Sequence, residues 1–588
     1  MRSIAPVIAA RLECLLKKIS GTNLRWIGEP ALEHGLGGTG YPPILAGDPP
    51  ASARERRVAS GGIHASAKCV FIRKSILAIT IAAGIFAEIR GHATSRAVPF
   101  SVVPPHVLTN YFTAFNAEDV STNVTTISND DAIRWLQHNI PRFQCPDREV
   151  EELYYFRWWS FRKHVKHTPK GYVITEFLPP VSHAGEFNTI SCATGFHLSE
   201  GRWLHDETVL NDYIRFWLRS DRGKPPEHFH KFSSWFAAAV WDRYLVQLDR
   251  KFIVNLLPDL VADYRRWETE RQATNGLFWQ FDVRDGMEES ISGSRTQKHF
   301  RPTINSYMFA NARAIANIAE LAKKPRLASE FTAKADTLKR LTHSNLWDAQ
   351  AKFFKVRFET GEFSTAREAI GFVPWMFMLP ELNLRSREAW AELNHPQGFS
   401  APFGLTTAER RHPSFRSRGV GTCEWDGAVW PFATSQTLYA LANRIRDYPS
   451  RRIEAREYFE PFMTYVRSQR ANGRPFIGEY LDEVTGDWIN RGDRSRYYNH
   501  STFADLLITG VIGLRPRADD VLEIHPLLPA DSWDWLCLDQ VKYHGRSLAI
   551  IWDRDGTRYQ RGAGLSVWID GHEIARESQL TRIIATLP

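Results

Sequence analysis

Three stretches of this chain bring together residue types that can do acid–base chemistry. The first is Gly478-Glu479-Tyr480-Leu481-Asp482-Glu483-Val484-Thr485-Gly486-Asp487, followed by Tyr497-Tyr498-Asn499-His500-Ser501. Acidic, aromatic and turn-forming residues interleave here with no apolar period, which is the pattern of a loop that carries function. Glu479 is flanked by Ile477, Tyr480 and Leu481, and partial desolvation among such neighbours raises a carboxylate toward the pKa of a general base. A solvated loop acid has the same local composition.

The second stretch is Phe278-Trp279-Gln280-Phe281-Asp282-Val283-Arg284-Asp285-Gly286-Met287-Glu288-Glu289-Ser290. A helix opening here would carry Asp285, Glu288 and Glu289 at i, i+3 and i+4 on one face. Charges that close do not all ionise cheaply, so one of the three would hold a raised pKa, as a general acid needs near neutrality. Acids in a first helical turn are also favoured by the helix dipole alone, by ~0.3–1 kcal/mol. The third stretch, Gly421-Thr422-Cys423-Glu424-Trp425-Asp426-Gly427-Ala428-Val429-Trp430-Pro431, brackets an Asp and a Gly between two Trp ahead of a helix entered through Pro431. Indole faces stack on sugar rings and a carboxylate between them accepts hydroxyl hydrogen bonds; a loop packed by its own aromatics reads the same way.

These loops need a large scaffold. The chain has 588 residues, 43% hydrophobic and 12% aromatic with 20 Trp, enough for one large repetitive domain or two to three ordinary ones. Its net charge of +8 is mild over that length, and no long Lys/Arg block marks a nucleic-acid face. The six cysteines, at 14, 69, 145, 192, 423 and 537, show neither C-x-x-C nor paired spacing, so free thiols are expected and no metal or cofactor is called for.

Residues 1–67 read as a flexible leader. Their Gly35-Leu36-Gly37-Gly38-Thr39-Gly40 string fits G-x-G-x-x-G, but no strand precedes it and no amphipathic helix follows, so the dinucleotide fingerprint fails its context. Segment 68–97 has the three-part form of a secretory signal, with Arg73-Lys74, an apolar run from Ser75 to Ala87, and a small-residue exit at Gly91-His92-Ala93. It is short for a membrane span. Its internal position suggests that the natural start lies near Cys69 or Val70, and export to the periplasm or medium would follow, with no integral span in the mature chain.

From 98 to 515, amphipathic segments follow one another near 150–166, 209–218, 232–248, 252–264, 308–322, 326–346, 367–378, 386–393, 430–444, 453–469 and 501–512. Roughly a dozen helices in hairpins suggest a closed toroid, an (α/α)6 arrangement in a mainly α chain. After Pro516 the texture turns to strands, at 521–526, 536–543, 547–553 and 564–571, and a small β-sandwich-like domain over 516–588 is expected to support the helical body.

The three strings resemble the six-hairpin glycoside hydrolases related to family 63, the mannosylglycerate hydrolase-like glycosidases. In those enzymes a Gly-Met-Asp segment carries the general acid, a Trp-x-Gly-Pro-x-Trp segment lines the sugar site, and a Glu-Tyr loop ending Thr-Gly-Glu carries the base. This chain has Gly286-Met287-Glu288, Trp425-Asp426-Gly427-Ala428-Val429-Trp430, and Glu479-Tyr480 with Thr485-Gly486-Asp487, in the same order across about 145–530. The resemblance implies Glu288 as acid and Glu479 as base. Glu replaces Asp at 288, Ala428 replaces Pro and Glu289 replaces a common Asn, which leaves Asp285 and Glu289 as alternative acids. The longer strings look like those of an uncharacterised bacterial branch, to which substrate identity does not carry over.

The implied activity is inverting hydrolysis of a glycosidic bond in a carbohydrate substrate, with the two carboxylates ~6.5–9.5 Å apart to admit a water. A glycoside phosphorylase would replace the base with a phosphate pocket, and a polysaccharide lyase would rely on Tyr498 and His500. Candidate sugar contacts are Arg157, Trp158, Trp159, Asn188, Trp203, Trp279, Trp425, Asp426, Trp430, Tyr480, Tyr498 and His500. Arg202, His205 and Asp206 either read hydroxyls or cap the helix beginning near Glu207.

Overall fold

The computed structural model describes residues 100–588, apart from 383, 420–422, 450–454 and 491. The leader and the signal-like segment therefore lie outside the described residues, as does the glycine string at 35–40. Among the described residues the helices are α1 Pro105–Glu118, α2 Asn129–Asn139, α3 Arg148–His164, α4 Thr194–Gly201, α5 Thr208–Arg219, α6 Phe236–Gln247, α7 Arg250–Arg271, α8 Pro302–Leu321, α9 Pro325–Leu346, α10 Val373–Met376, α11 Pro431–Asp447, α12 Ala455–Ser468 and α13 Ala504–Leu506. A π-helical stretch, Leu507–Ile512, continues α13. The chain is mainly α.

Local sequence sets where these helices begin. The Asp147 carboxylate accepts from the amides of Glu149 at 3.0 Å and Val150 at 3.2 Å, capping α3, and such a cap stabilises by ~1 kcal/mol. Asp249 caps α7 through the Phe252 amide at 2.9 Å. Pro302, Pro325 and Pro431 open α8, α9 and α11, where a missing N–H leaves no bond unmade.

The helices fall into two kinds. Helices α3, α4, α8 and α11 are buried around nearly their whole circumference. By contrast, α5, α7, α9 and α12 bury a stripe, as α7 does with Ile253, Leu256, Leu257, Leu260, Tyr264 and Trp267. A helix buried all round is enclosed by other elements, whereas a striped one meets solvent on its far side.

After Gly513 the chain turns to strands. One sheet pairs Leu514–Arg515, Val521–Ile524 and Ile583–Thr586. The other is antiparallel and five-stranded, in the order Arg142–Gln144, Trp535–Tyr543, Arg546–Asp553, Gly564–Ile569, His572–Glu577. Its first strand comes from far upstream, with Arg142 standing opposite Asp539, and three residues are too short a run to show a period. The strands are bound to the helices by polar contacts. Lys542 pairs with Glu207 at 2.6 Å, and Arg515 forks onto Asp447 at 2.9 and 3.0 Å.

Candidate active site

The described parts of the three sequence stretches lie in loops that run into N-termini of buried helices: 281–301 into α8, 402–419 and 423–430 into α11, and 470–490 and 492–503 into α13. Two of these loops form one ribbon, because Val429 pairs with Leu481 through reciprocal amide–carbonyl bonds of 3.0 Å and also bridges Thr406. Tyr480–Leu481 pairs with Trp488–Ile489, and the turn between them is closed by Asp482, whose Oδ1 accepts from the amides of Val484 at 2.9 Å and Thr485 at 2.8 Å. The acids following Glu479 thus include turn chemistry. Segment 497–501 is strapped from behind, with His164 Nε2 2.7 Å from the Tyr497 carbonyl, His197 Nε2 2.6 Å from the Asn499 carbonyl, and the Asn499 amide donating to the Glu176 carbonyl at 3.0 Å. Burial pushes His164 down to about 3 and His197 to about 4, so both straps are neutral imidazoles.

The helix expected over 285–289 does not form. The chain makes a single 3-10 turn, Asp282–Arg284, and then leaves helical geometry because Gly286 and Glu289 have φ of 71° and 63°. Asp285, Glu288 and Glu289 therefore go separate ways. Asp285 is fully buried and accepts from Arg301 Nε at 2.8 Å and from the Thr303 hydroxyl, so its carboxylate anchors the loop to the start of α8. Glu289 occupies the left-handed region, which suits Asn or Gly and accounts for the Asn common in the resembling family. Its Oε2 is buried without a hydrogen-bond partner. Glu288 is partly exposed, and its carboxyl is pushed up to about 7, first by burial and then by the charges of Glu479 and Asp282, against opposing contributions from a backbone hydrogen bond and Arg295.

Glu479 is 4% exposed, and its Oε2 takes Arg494 Nη1 at 2.9 Å and the Ser495 hydroxyl at 3.2 Å. The Arg494 guanidinium lies 4.6 Å over the Phe177 ring. Beside it the Trp loop builds a three-ring stack: Trp425 on Trp430 at 4.3 Å and 23°, Trp430 on Tyr480 at 4.5 Å and 10°. Trp430 is the middle ring of that stack, and all three rings are buried, Trp425 and Trp430 at 3% exposed and Tyr480 at 0%. Asp426 accepts from the Arg418 amide at 3.1 Å, while its other oxygen is buried without a partner. Tyr498 and His500 meet edge to face at 4.2 Å and 88°, and burial holds His500 well below its usual range.

The remaining sequence candidates are held by contacts within the protein. Trp158 and Trp203 are wholly buried, and Trp203 Nε1 donates to Asp505 at 2.6 Å beside a forked Arg202 at 2.7 and 3.1 Å. Trp159 donates to Asn116 at 2.8 Å and lies under Arg162 and Lys163. Arg157 ties α3 to Gln469 at 2.7 Å and to the Ser501 carbonyl at 2.8 Å. Asn188, at φ 59°, closes its own loop by donating to the Phe177 and Pro179 carbonyls. Trp279 carries Arg271 and Lys298 over its ring at 4.8 and 4.9 Å. Asp206 caps α5 through the Thr208 amide at 2.9 Å, and His205 bonds two backbone carbonyls.

Sequence reasoning passed over Glu176. It is buried, accepts from Tyr498 Oη at 2.6 Å and Cys192 Sγ at 3.4 Å, and its carboxyl is pushed up to about 7 by burial, with the charge of Glu479 adding to the rise. Cys423 is the other thiol at the site, pushed up to about 12 by burial and by Glu288 and Glu479. Among the described residues no group of three or more His, Cys, Asp or Glu could hold a metal ion.

Two family models match the chain. The mannosylglycerate hydrolase MGH1-like glycoside hydrolase domain covers residues 186–501, and the glycosyl hydrolase family 65 C-terminal domain covers 514–576. A solved structure of a sialidase is similar at 49% identity and a TM-score of 0.81, over 82% of this chain and 45% of that one. The chain thus spans less than half the length of that protein. A family 78 rhamnosidase of Bacillus sp. GL1 shares the fold at 12% identity and a TM-score of 0.50, over 70% of this chain and 40% of that one. The first family model spans more than half of the chain and contains Glu288, Glu479 and the Trp loop between them, and the chain belongs to the MGH1-like glycoside hydrolases, six-hairpin glycosidases related to family 63.

Proposed function

We propose that the chain is an inverting glycosidase in which Glu288 is the general acid and Glu479 the general base. The observation that carries this reading is the contrast between the two carboxyls. Glu288 keeps its proton up to about 7 in a partly dry pocket beside the charge of Glu479, whereas Glu479 faces its own counter-ion, Arg494. A carboxyl that keeps its proton beside a carboxylate paired with a guanidinium suits the division into acid and base. As the glycosidic C–O bond breaks, Glu288 gives its proton to the departing oxygen. A water forms the new C–O bond on the opposite face and loses its proton to Glu479.

Helices buried around their circumference and helices buried along a stripe support an (α/α)6 toroid, with the loops that lead into α8, α11 and α13 forming the floor of the site. A carbohydrate substrate suits the glycoside hydrolase domain that the chain matches. The lyase alternative gains no support, since Tyr498 is engaged with Glu176 and His500 is buried.

The test is sugar release from α- and β-linked sialosides, rhamnosides and mannosides, mannosylglycerate among them, with and without phosphate. Release is expected without phosphate, and Glu479→Gln is expected to lower it ~10³-fold or more, as loss of a positioned base does together with the binding it supports. Release that survives the substitution would put the base elsewhere, and dependence on phosphate would make the enzyme a phosphorylase.

A further inference from the structure

The acid and base roles leave one buried carboxylate of the site unused. Glu176 lies just past the strand Gly171–Ile174, is 4% exposed, and faces Glu479 rather than solvent. Its hydrogen-bond donors, the Tyr498 hydroxyl at 2.6 Å and the Cys192 thiol at 3.4 Å, are both neutral, so neither balances a charge. The cation in reach is Arg494, which already pairs with Glu479 at 2.9 Å and rests on Phe177, the residue next to Glu176.

The titratable and charged groups around Glu176 are Cys192 ahead of α4, Tyr213 on α5, and Glu479, Arg494 and Tyr498 on the 470–503 loop. His164 and His197 bond to Thr175 and Asn499 beside it, and His500 packs on Tyr498. Burial keeps all three imidazoles neutral above moderately acid pH. A second carboxylate beside a guanidinium that already holds one, in a dry site, does not ionise cheaply.

Resting on the assignment of Glu479 as base, we propose that Glu176 is a positioning residue for it: the two carboxylates form a coupled pair on Arg494, and Glu176 in its neutral form leaves the guanidinium wholly to Glu479. Ionisation of Glu176 draws Arg494 away from the base and sets a second negative charge beside it. The burial of Glu176 and its rise to about 7 agree with this division of labour, because they keep it neutral across the range in which a base must be charged.

The pair is readable without a substrate, from the melting temperature of the full chain between pH 4.5 and 8. Unfolded, Glu176 titrates near the ordinary value of 4.5; folded, it holds its proton to about 7. Between those values the folded state binds a proton that the unfolded state has released, so stability falls as pH rises through the window.

Glu176→Gln removes that proton and flattens the fall. In a Glu479→Gln background the repelling charge is gone and Glu176 holds its proton less tightly, so adding Glu176→Gln changes the slope by at most half as much as it does in the wild type. Equal changes in both backgrounds would show an independent buried acid and overturn the proposal. If Glu176→Gln does not fold, Tyr498→Phe serves instead. It removes a donor that lowers the Glu176 pKa, and so extends the falling range to higher pH; an unchanged range overturns the proposal as well. Glycoside cleavage that persists in Glu479→Gln would remove the base assignment while leaving the thermal cycle to report on the pair.

Discussion

Glu288 and Glu479 are the same chemical group in different surroundings, and the proposed roles follow from what each one faces. Because Glu288 must be protonated to act, kcat/KM is expected to fall with rising pH above about 7, tenfold per unit. Asp282 contributes negative charge to that rise. Asp282→Asn is therefore expected to move the alkaline limb to lower pH in a pH–rate profile, and a limb that stays put would show that the carboxyl being titrated is not Glu288. Both residues stood out in the sequence because each sits in a string of acids and aromatics, in the order the resembling family uses. Glu176 was not. It follows Tyr172-Val173-Ile174-Thr175, which reads as the end of a strand, and its partner Tyr498 stands 322 residues away. The same distance hid the protein contacts of Arg157 and Trp203, because a composition rich in aromatics does not say which ring is buried.

At the scale of the element, the acid loop is held by a buried ion pair and not by helical structure. Asp285 and Arg301 are both wholly buried, and removing one charge strands the other. Asp285→Asn is expected to destabilise the chain by ~3–5 kcal/mol, read as a lower urea midpoint, while the alkaline limb of activity stays near 7. Unchanged stability with loss of that limb would make Asp285 the acid in place of Glu288. The helices themselves were largely readable, since α5, α7 and α9 repeat their apolar residues at 3.6 and Pro431 marks the start of α11. The same rule misled at 285–289, where spacing alone imitates a helix and the left-handed residues that break it, Gly286 and above all Glu289, are decided by the anchoring of Asp285 on α8. The hairpin that presents Glu479 was recognised as a loop, but its pairing with the Trp loop through Val429 depends on register between distant segments.

Across the whole molecule, two features frame the proposed site: a mainly helical body in which α8, α11 and α13 are entered from the loops that carry it, and a β tail fastened to that body by ion pairs. The change from helical to strand texture near 516 was plain in the sequence, while the strand Arg142–Gln144 joining the tail's sheet was not, for want of length. Loops drawn from segments hundreds of residues apart converge on Glu288 and Glu479, so the geometry between the two is a property of the assembled body. The account stands on that geometry admitting a water opposite the leaving group. The most direct test is the anomeric configuration of the first sugar released, followed by proton NMR before mutarotation. The account predicts inversion relative to the substrate. Retention would contradict it, by requiring one of the two carboxylates to attack the sugar itself.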